Sequence, residues 1–195
     1  MQDKHRVVPR GGVVLDLGCS PGAWLQVACR ALGPPAAGGR VLGIDLKRVD
    51  VPSLAPHADR RVTALLADAR SLTPAALLAL QPSGFHAMLS DMCPDTTGGA
   101  STDAIRSASL ARVAVELALG DDAAETADEA DEEGGSVAVA PPPAPGRRER
   151  GVLLPGGALV VKLLEGPGGG RQELHALCKV RACTRAVRMR IFSRR

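Results

Sequence analysis

The chain has 195 residues, of which 45% are hydrophobic, and this is enough for one domain with a buried core. No apolar run approaches the roughly 20 residues that span a bilayer, and residues 1–10 have no apolar segment of signal-peptide type, so we expect a soluble, intracellular protein. Five cysteines without any C-x-x-C pair indicate neither a disulfide framework nor a zinc site.

The charge is unevenly distributed along the chain. The whole chain carries +3, and residues 120–150 hold nine acidic and three basic side chains, a net of −6, so the rest carries +9. Residues 171–195 contain seven Arg and one Lys against one Glu. A basic surface of this kind suits a polyanion such as RNA, and it is as typical of a solvated basic tail.

Short apolar runs bounded by glycine and turn residues alternate with helical segments along the chain. The predicted strands are residues 12–17, 41–45, 62–67, 87–91 and 158–163, and the predicted helices are residues 23–32, 74–80 and 102–119. This alternation predicts a doubly wound α/β fold, with a mostly parallel sheet covered on both faces. We expect residues 1–195 to form a single domain.

Two segments depart from this pattern. Residues 120–150 form an acidic block followed by a Pro-rich run with almost nothing large to bury, which predicts a disordered surface insertion between a helix and a strand. Extra length at such a position costs a fold little. Residues 185–192 alternate Arg with apolar residues loosely, and this pattern leaves an edge strand and an irregular tail equally open.

A glycine turn follows the first predicted strand. The strand ends at Asp16, and the chain passes through Gly18, Ser20 and Pro21 to Gly22, where a helix opens. In doubly wound folds, nucleotide cofactors bind at such a turn, outside the carboxyl ends of the strands. The spacing D-x-G-x-x-x-G differs from the G-x-G-x-x-G of a dinucleotide site and suits the zwitterionic amino-acid part of S-adenosylmethionine. Taken alone, the motif is equally well explained as a structural turn.

Carboxylates at the next strand ends strengthen the cofactor interpretation. Asp45 ends the second predicted strand, where it can accept hydrogen bonds from both ribose hydroxyls of the cofactor's adenosine. Asp68 follows the third strand, where it could meet the adenine amino group. Each residue alone is more often a solvated strand end or a helix cap. Together with Asp16, however, they place three carboxylates at successive strand ends that converge on one crevice.

Three motifs together resemble the FtsJ/RrmJ family of ribosomal RNA 2′-O-methyltransferases. They are residues 16–24, the stretch Ser90-Asp91-Met92-x-Pro94, and Pro155-Gly156-Gly157 followed by Val160-Val161-Lys162. Their order and spacing agree with the family from about residue 3 to about residue 180, the acidic insertion aside. The sequences of residues 22–29, 43–45 and 89–93 most resemble those of plant and algal organellar members of the family, which implies a mitochondrial or chloroplast location.

This resemblance implies a reaction and a set of site residues. In this reaction, S-adenosylmethionine methylates the ribose 2′-oxygen of a uridine in large-subunit ribosomal RNA. No metal takes part. Lys162 is implied to be the catalytic base, with Asp91 beside it. The cofactor pocket is implied to be lined by Gly22, Trp24, Asp45, Asp68 and Asp91.

The chemistry of the reaction supports a role for Lys162. A ribose hydroxyl is a poor nucleophile and must lose its proton as the methyl group leaves the sulfonium, so a positioned base is useful. A lysine can serve only if burial or neighbouring positive charge lowers its pKa. In the competing interpretation, Lys162 orients the hydroxyl, and in-line alignment supplies the rate. Considered without the family, a lysine at a strand end is usually a surface residue.

The sequence departs from the family at both ends. The family's tetrad is Lys-Asp-Lys-Glu, and Asp91 and Lys162 match its two middle members. The first lysine lies farther upstream than this chain reaches, since Lys4 is too close to Asp16, and residues 180–195 contain neither Glu nor Tyr. We therefore expect a truncated start, an altered end, intact cofactor binding and poorly formed last strands. Two alternatives stay open: a non-catalytic S-adenosylmethionine- or RNA-binding remnant, and a small-molecule methyltransferase on the same fold.

Overall fold

The computed structural model describes residues 6–120, 150–166 and 188–194, together with residues 170, 172, 174 and 176. The strands are β1 (Val13–Leu17), β2 (Arg40–Asp45), β3 (Val62–Leu66), β4 (Phe85–Ser90), β5 (Leu153–Leu164) and β6 (Arg188–Arg194). The α-helices are α1 (Ala23–Ala31), α2 (Pro74–Leu80) and α3 (Ala100–Leu119). Short 3-10 turns lie at Pro35–Ala37, Val51–Leu54 and Ala69–Ser71.

The six strands of the described residues form one sheet in the order β3-β2-β1-β4-β5-β6, and every pairing among them is parallel. The strand order reverses beside β1, because the chain proceeds outward through β2 and β3 and then returns to place β4 on the other side of β1. At such a reversal the connections leave on opposite sides, and a crevice opens outside the carboxyl ends of the two central strands. The sheet topology therefore fixes where a ligand site is expected.

Both faces of the sheet are covered, as the near-continuous apolar strands predict. On one face, Leu15 and Leu17 of β1 belong to a buried cluster with Ala114 and Ala118 of α3. On the other face, Val14 belongs to a second cluster, together with residues of α1 such as Leu25 and Ala28. Alternate residues of one strand thus serve opposite cores, and the predicted doubly wound α/β fold is confirmed.

Local signals explain where the helices begin and end. Gly22 precedes α1 with a φ of 115°, a conformation that favours glycine. Thr73 caps α2, because its hydroxyl oxygen accepts a hydrogen bond from the Ala76 amide at 3.1 Å, and Pro74 occupies the first helical position. Gly120 ends α3 with a φ of 85°. No helix among the described residues is long and apolar enough to span a membrane.

All the predicted strands and helices are present, and the largest shift of a boundary is at β5. This strand begins at Leu153 rather than at residue 158, because Leu153 pairs with Phe85 ahead of a register shift between Phe85 and Ala87. The Pro155-Gly156-Gly157 turn is therefore an irregularity within the strand. The strand pattern alone did not indicate pairing on both sides of it.

The predicted disordered insertion at residues 120–150 falls mostly on residues 121–149, which lie outside the described residues. Its two ends are described, and Gly120 and Arg150 form an isolated antiparallel bridge. The predicted single domain over residues 1–195 also includes residues that lie outside the described part of the chain, so it stays a prediction. Within that part, one continuous sheet carries both cores.

The carboxyl-terminal strand corrects one expectation. Residues 188–194 form β6, which pairs with β5 from Ala158↔Arg188 to Leu164↔Arg194, so the edge-strand alternative is right for these residues. The expectation of poorly formed last strands is wrong for β6. Its apolar residues serve both faces of the sheet, because Met189 and Ile191 pack against the α3-side core and Phe192 packs against the α1-side core.

Candidate active site

A cleft of about 910 Å³ opens outside the carboxyl ends of the strands, where the strand order reverses. The β1–α1 turn, the ends of β2, β3 and β4, and one face of α3 contribute to its wall. Six of the residues predicted from the sequence line it directly: Gly18, Ser20, Pro21, Asp45, Asp68 and Asp91. Of the three strand-end carboxylates predicted to converge on one crevice, those of Asp45 and Asp68 line the cleft, together with Asp91 after β4, whereas the buried Asp16 does not.

Two glycines of the turn have a positive φ and little room for a side chain. Gly18 has a φ of +76°, and a Cβ atom there would lie 2.7 Å from the Met92 amide nitrogen. Gly22 has a φ of +115°, and a Cβ atom there would lie 2.7 Å from both terminal methyl carbons of Leu54. Gly18 thus lets the end of β1 approach the segment after β4, and the turn keeps its main chain open to the cleft.

Asp45 joins the β1–α1 turn to the end of β2. Its carboxylate accepts hydrogen bonds from the amides of Ser20 and Lys47, both at 2.8 Å and each on a different oxygen. A carboxylate offers about four lone-pair sites, so two acceptor positions remain for a ligand. The role of Asp45 toward ribose hydroxyls stays a prediction.

Asp68 is held differently from Asp45, because the side chain of Arg70 donates hydrogen bonds to its carboxylate. Its carboxylate accepts from the Arg70 amide at 2.9 Å and from the Arg70 guanidinium, whose Nη2 lies 2.7 Å from Oδ2. The side-chain hydrogen bonds of Arg70, and then its amide, hold the pKa of Asp68 below its ordinary value. Sequence reasoning missed Arg70, although the D-x-R spacing recurs at Asp59 and Arg61, where the same fork forms. A ligand at Asp68 would share the carboxylate with Arg70.

Asp16 does not line the cleft. Its side chain is fully buried, and neither carboxylate oxygen has a hydrogen-bond partner among the described residues. Burial, and then the charges of Asp91 and Asp45, raise the pKa of Asp16 well above its ordinary range. Burial, followed by the nearby Asp16 and Asp45, also raises the pKa of the Cys19 thiol to about 12. The base of the site therefore disfavours further negative charge.

Asp91 and Lys162 meet across two neighbouring strands. Ser90 lies opposite Val161 in the β4–β5 pairing, so the next residue of each strand emerges beside the other. The Lys162 ammonium forms an ion pair with Asp91 Oδ1, and the two side chains are 28% and 23% exposed, which shields the pair only in part. The Asp91 amide also donates to the Leu17 carbonyl at 3.0 Å. The predicted catalytic pair is thus in contact, and its Asp91 lines the cleft.

The segment between β4 and α3 is tied down by one acidic side chain. The carboxylate of Asp103, in the first turn of α3, accepts from the Thr97 amide and hydroxyl, both at 2.8 Å, and from the Gly98 amide at 3.3 Å. The Thr97 amide is the largest of the causes that lower the pKa of Asp103. These hydrogen bonds of Asp103, called the Asp103 staple below, fix Thr97 and Gly98 in the segment that follows Asp91.

One face of α3 forms a wall of the cleft that sequence reasoning missed. Its cleft-lining residues are Arg106, Ser109, Leu110 and Val113. Their i, i+3, i+4, i+7 spacing is that of a single helix face, so the pattern was present in the predicted helix. The angle at which α3 packs on the sheet, which turns this face toward the cleft, has no comparable signal in the sequence.

Trp24 lies in α1, away from the cleft lining. Its half-buried side chain packs against the α1-side core and is not among the cleft-lining residues, and its contact with the cofactor stays a prediction. Gly22 shapes the turn without lining the cleft, and Lys162 is connected to the cleft through Asp91. Among the described residues, no three His, Cys, Asp or Glu side chains are grouped as metal ligands.

The fold and cleft define a doubly wound α/β protein with a nucleotide-cofactor type of site at its sheet reversal. The model of the FtsJ-like methyltransferase family matches residues 1–189. The chain belongs to this family, as the motif resemblance indicates.

Bacterial relatives extend the comparison. The chain is similar to the ribosomal RNA large subunit methyltransferase E of Desulfosudis oleivorans, with 44% identity over 120 residues, covering 61% of this chain and 53% of that protein. The protein of the same name from Desulfatibacillum aliphaticivorans is 33% identical over 168 residues, covering 86% and 62%. That from Syntrophobacter fumaroxidans is 31% identical over 177 residues, covering 91% and 68%. The chain thus spans between about half and two thirds of these relatives.

Proposed function

We propose that this protein transfers a methyl group from S-adenosylmethionine to the ribose 2′-hydroxyl of a uridine in large-subunit ribosomal RNA. The observation that carries the proposal is the ion pair of Asp91 and Lys162 at the ends of β4 and β5, beside a cleft with Asp45 and Asp68 on its wall. Family membership and the name of the bacterial relatives support the choice of substrate. An organellar location stays a prediction.

The residues of the cleft fit this cofactor. A volume of about 910 Å³ lies within the range of pockets that enclose small ligands, and Gly18 keeps the main chain accessible. Asp45 would hold the ribose hydroxyls with its free acceptor positions, and Asp68 would accept from the adenine amino group. Leu46, which lines the cleft with 65% of its surface exposed, offers an apolar contact for the base. When bound, S-adenosylmethionine supplies an electrophilic methyl group on a positively charged sulfur.

Lys162 would act on the attacking hydroxyl. The ion pair with Asp91 fixes its ammonium group at the edge of the cleft, which limits the directions in which it can reach a ligand. Lys162 would take the hydroxyl proton at Nζ if it is neutral when the substrate binds, and it would only orient the hydroxyl if it stays charged.

The test measures methyl transfer from labelled S-adenosylmethionine to undermethylated large-subunit ribosomal RNA by this chain and its Lys162→Ala variant. We expect kcat to fall about 10²- to 10⁴-fold in the variant, as is typical when a general base is removed. The dissociation constant for S-adenosylmethionine, measured by calorimetry, is expected to stay within a few-fold. Arg30→Ala, an exposed position on α1, is the control and should match the unsubstituted chain.

Other outcomes of the same assay would replace the proposal. Binding of S-adenosylmethionine and RNA without any transfer would identify a non-catalytic binding protein. Binding of S-adenosylmethionine without RNA binding would favour a small-molecule methyltransferase. Equal activity of the unsubstituted chain and Lys162→Ala would remove Lys162 from the mechanism.

A further inference from the structure

Basic side chains lie at several points of the cleft wall. Two of the basic side chains at the site form ion pairs with carboxylates. Arg70 pairs with Asp68, and Lys162 pairs with Asp91. Arg106 also lines the cleft, from the exposed face of α3. Among the described residues, no carboxylate lies within ion-pair distance of its guanidinium.

The acid nearest to Arg106 in sequence is already occupied. Asp103 lies one turn earlier on α3, and its carboxylate accepts three hydrogen bonds from Thr97 and Gly98. Arg106 contributes only the smallest of the causes that lower the pKa of Asp103. The guanidinium is therefore free to bind an anion that enters the cleft.

We propose that Arg106 binds a backbone phosphate of the RNA strand that carries the target ribose, an inference that rests on the proposed function. The strand has to pass carboxylates of the cleft wall, such as that of Asp95, which repel phosphate, so a cation on α3 would offset that repulsion. A guanidinium binds phosphate oxygens in a bidentate manner, which fixes the direction of the strand as well as its position. Arg106 would thus anchor the strand while its ribose reaches Asp91 and Lys162.

Helix α3 supplies a matched control. Arg112 is exposed on the same helix but lies six residues later, on a different face, and does not line the cleft. Arg106→Ala and Arg112→Ala remove the same charge from the same element. Any difference between them reports the location of the side chain and not the loss of net charge.

The experiment compares both variants in binding and turnover of undermethylated ribosomal RNA. We expect Arg106→Ala to raise KM for RNA about tenfold, to leave the dissociation constant for S-adenosylmethionine unchanged, and to reduce the slope of log affinity against log salt by about 0.7 to 0.9. Arg106→Lys should recover part of the affinity, because it restores a point charge without the bidentate contact. Arg112→Ala should behave as the unsubstituted chain.

Three results would overturn the inference. One is an equal effect of Arg106→Ala and Arg112→Ala on RNA binding. Another is weaker binding of S-adenosylmethionine by Arg106→Ala with unchanged RNA binding, since Arg106 would then contact the cofactor's carboxylate. The third is failure of the unsubstituted chain to bind RNA, which would also remove the proposed function. If RNA binds without methyl transfer, only the proposed activity fails, and the salt dependence still tests Arg106.

Discussion

The two sides of the cleft are held by different kinds of contact. On the β1–β2 side, main-chain amides of Ser20 and Lys47 donate to Asp45, and Gly18 leaves no room for a side chain. On the β4–β5 side, two partly exposed side chains, Asp91 and Lys162, hold each other. The shape of the first side is therefore set by the backbone of the sheet, and the chemistry of the second depends on two residues. Ligand binding and catalysis should accordingly be separable by mutation.

The largest effect is expected where the two sides touch. In Gly18→Ala the new Cβ would lie 2.7 Å from the Met92 amide nitrogen and 2.9 Å from the Asp91 carbonyl carbon, at a φ of +76°. We expect the free energy of unfolding in urea to fall by about 3 kcal/mol. Gly98→Ala is the control, because Gly98 has a φ of +83° with nothing within 4 Å, and strain alone should cost about 1 kcal/mol. Equal losses would contradict a tight junction between the two sides.

The next effect tests the main-chain contacts of the β1–β2 side. Asp45→Ala removes the acceptor for two amides, and we expect the free energy of unfolding to fall by about 2 kcal/mol. Asp68→Ala removes an exposed pair with Arg70 instead, so its loss should be smaller. Thermal unfolding of both variants without ligand would measure the difference. A larger loss for Asp68→Ala would reverse the assignment of backbone and side-chain contacts.

A pH-dependent effect is expected at Asp16, which has no hydrogen-bond partner among the described residues. Its pKa is raised by burial above the ordinary value of 3.8, so above that pH the unfolded chain releases a proton that the folded chain retains. Stability therefore falls as pH rises toward the folded-state pKa. In Asp16→Asn this loss is absent, and the variant's stability relative to the unsubstituted chain should rise by up to about 1.4 kcal/mol per pH unit. Urea unfolding at pH 5, 6 and 7 measures it, and a constant difference would show that Asp16 is ionised in the fold.

The smallest effect is local to the β4–β5 side. Asp103→Asn weakens the Asp103 staple on Thr97 and Gly98, and the exchange of these two amides with solvent should become roughly tenfold faster while global unfolding changes little. Hydrogen exchange followed by NMR would report both amides. Asp95→Asn, an exposed cleft residue without a bond to these amides, should leave their exchange unchanged. If both variants behave alike, the segment is held by contacts other than the carboxylate of Asp103.

The sequence allowed most of the fold and part of the site to be predicted, for identifiable reasons. Continuous apolar runs marked the buried strands, and parallel strands bring their carboxyl ends to one edge, where Asp45 and Asp91 both line the cleft. Lys162 followed from the family motif, and the β4–β5 register explains its contact with Asp91. The pairing of β6 depends on long-range contacts, which its loose alternation of Arg and apolar residues did not determine.

Side-chain direction and helix placement were beyond prediction. The side chain of Trp24 lies against the α1-side core, and a sequence motif does not specify its rotamer. Arg70 lies in the short 3-10 turn after Asp68 and donates hydrogen bonds to the Asp68 carboxylate. A ligand at Asp68 would compete with this contact. The α3 wall, with Arg106, depends on how the helix crosses the sheet. Contacts made through the backbone were therefore easier to infer than contacts made through flexible side chains.

The bridge between Gly120 and Arg150 has a practical consequence for engineering. It closes the chain upon itself between the end of α3 and the start of β5, and Gly151 lies so near the Ala118 carbonyl that an added Cβ would be 2.3 Å from its oxygen. This junction stands at the amino edge of the sheet, and the cleft opens at the carboxyl edge. A reporter domain or affinity tag spliced between these two residues would be carried on the side of the molecule remote from its ligand.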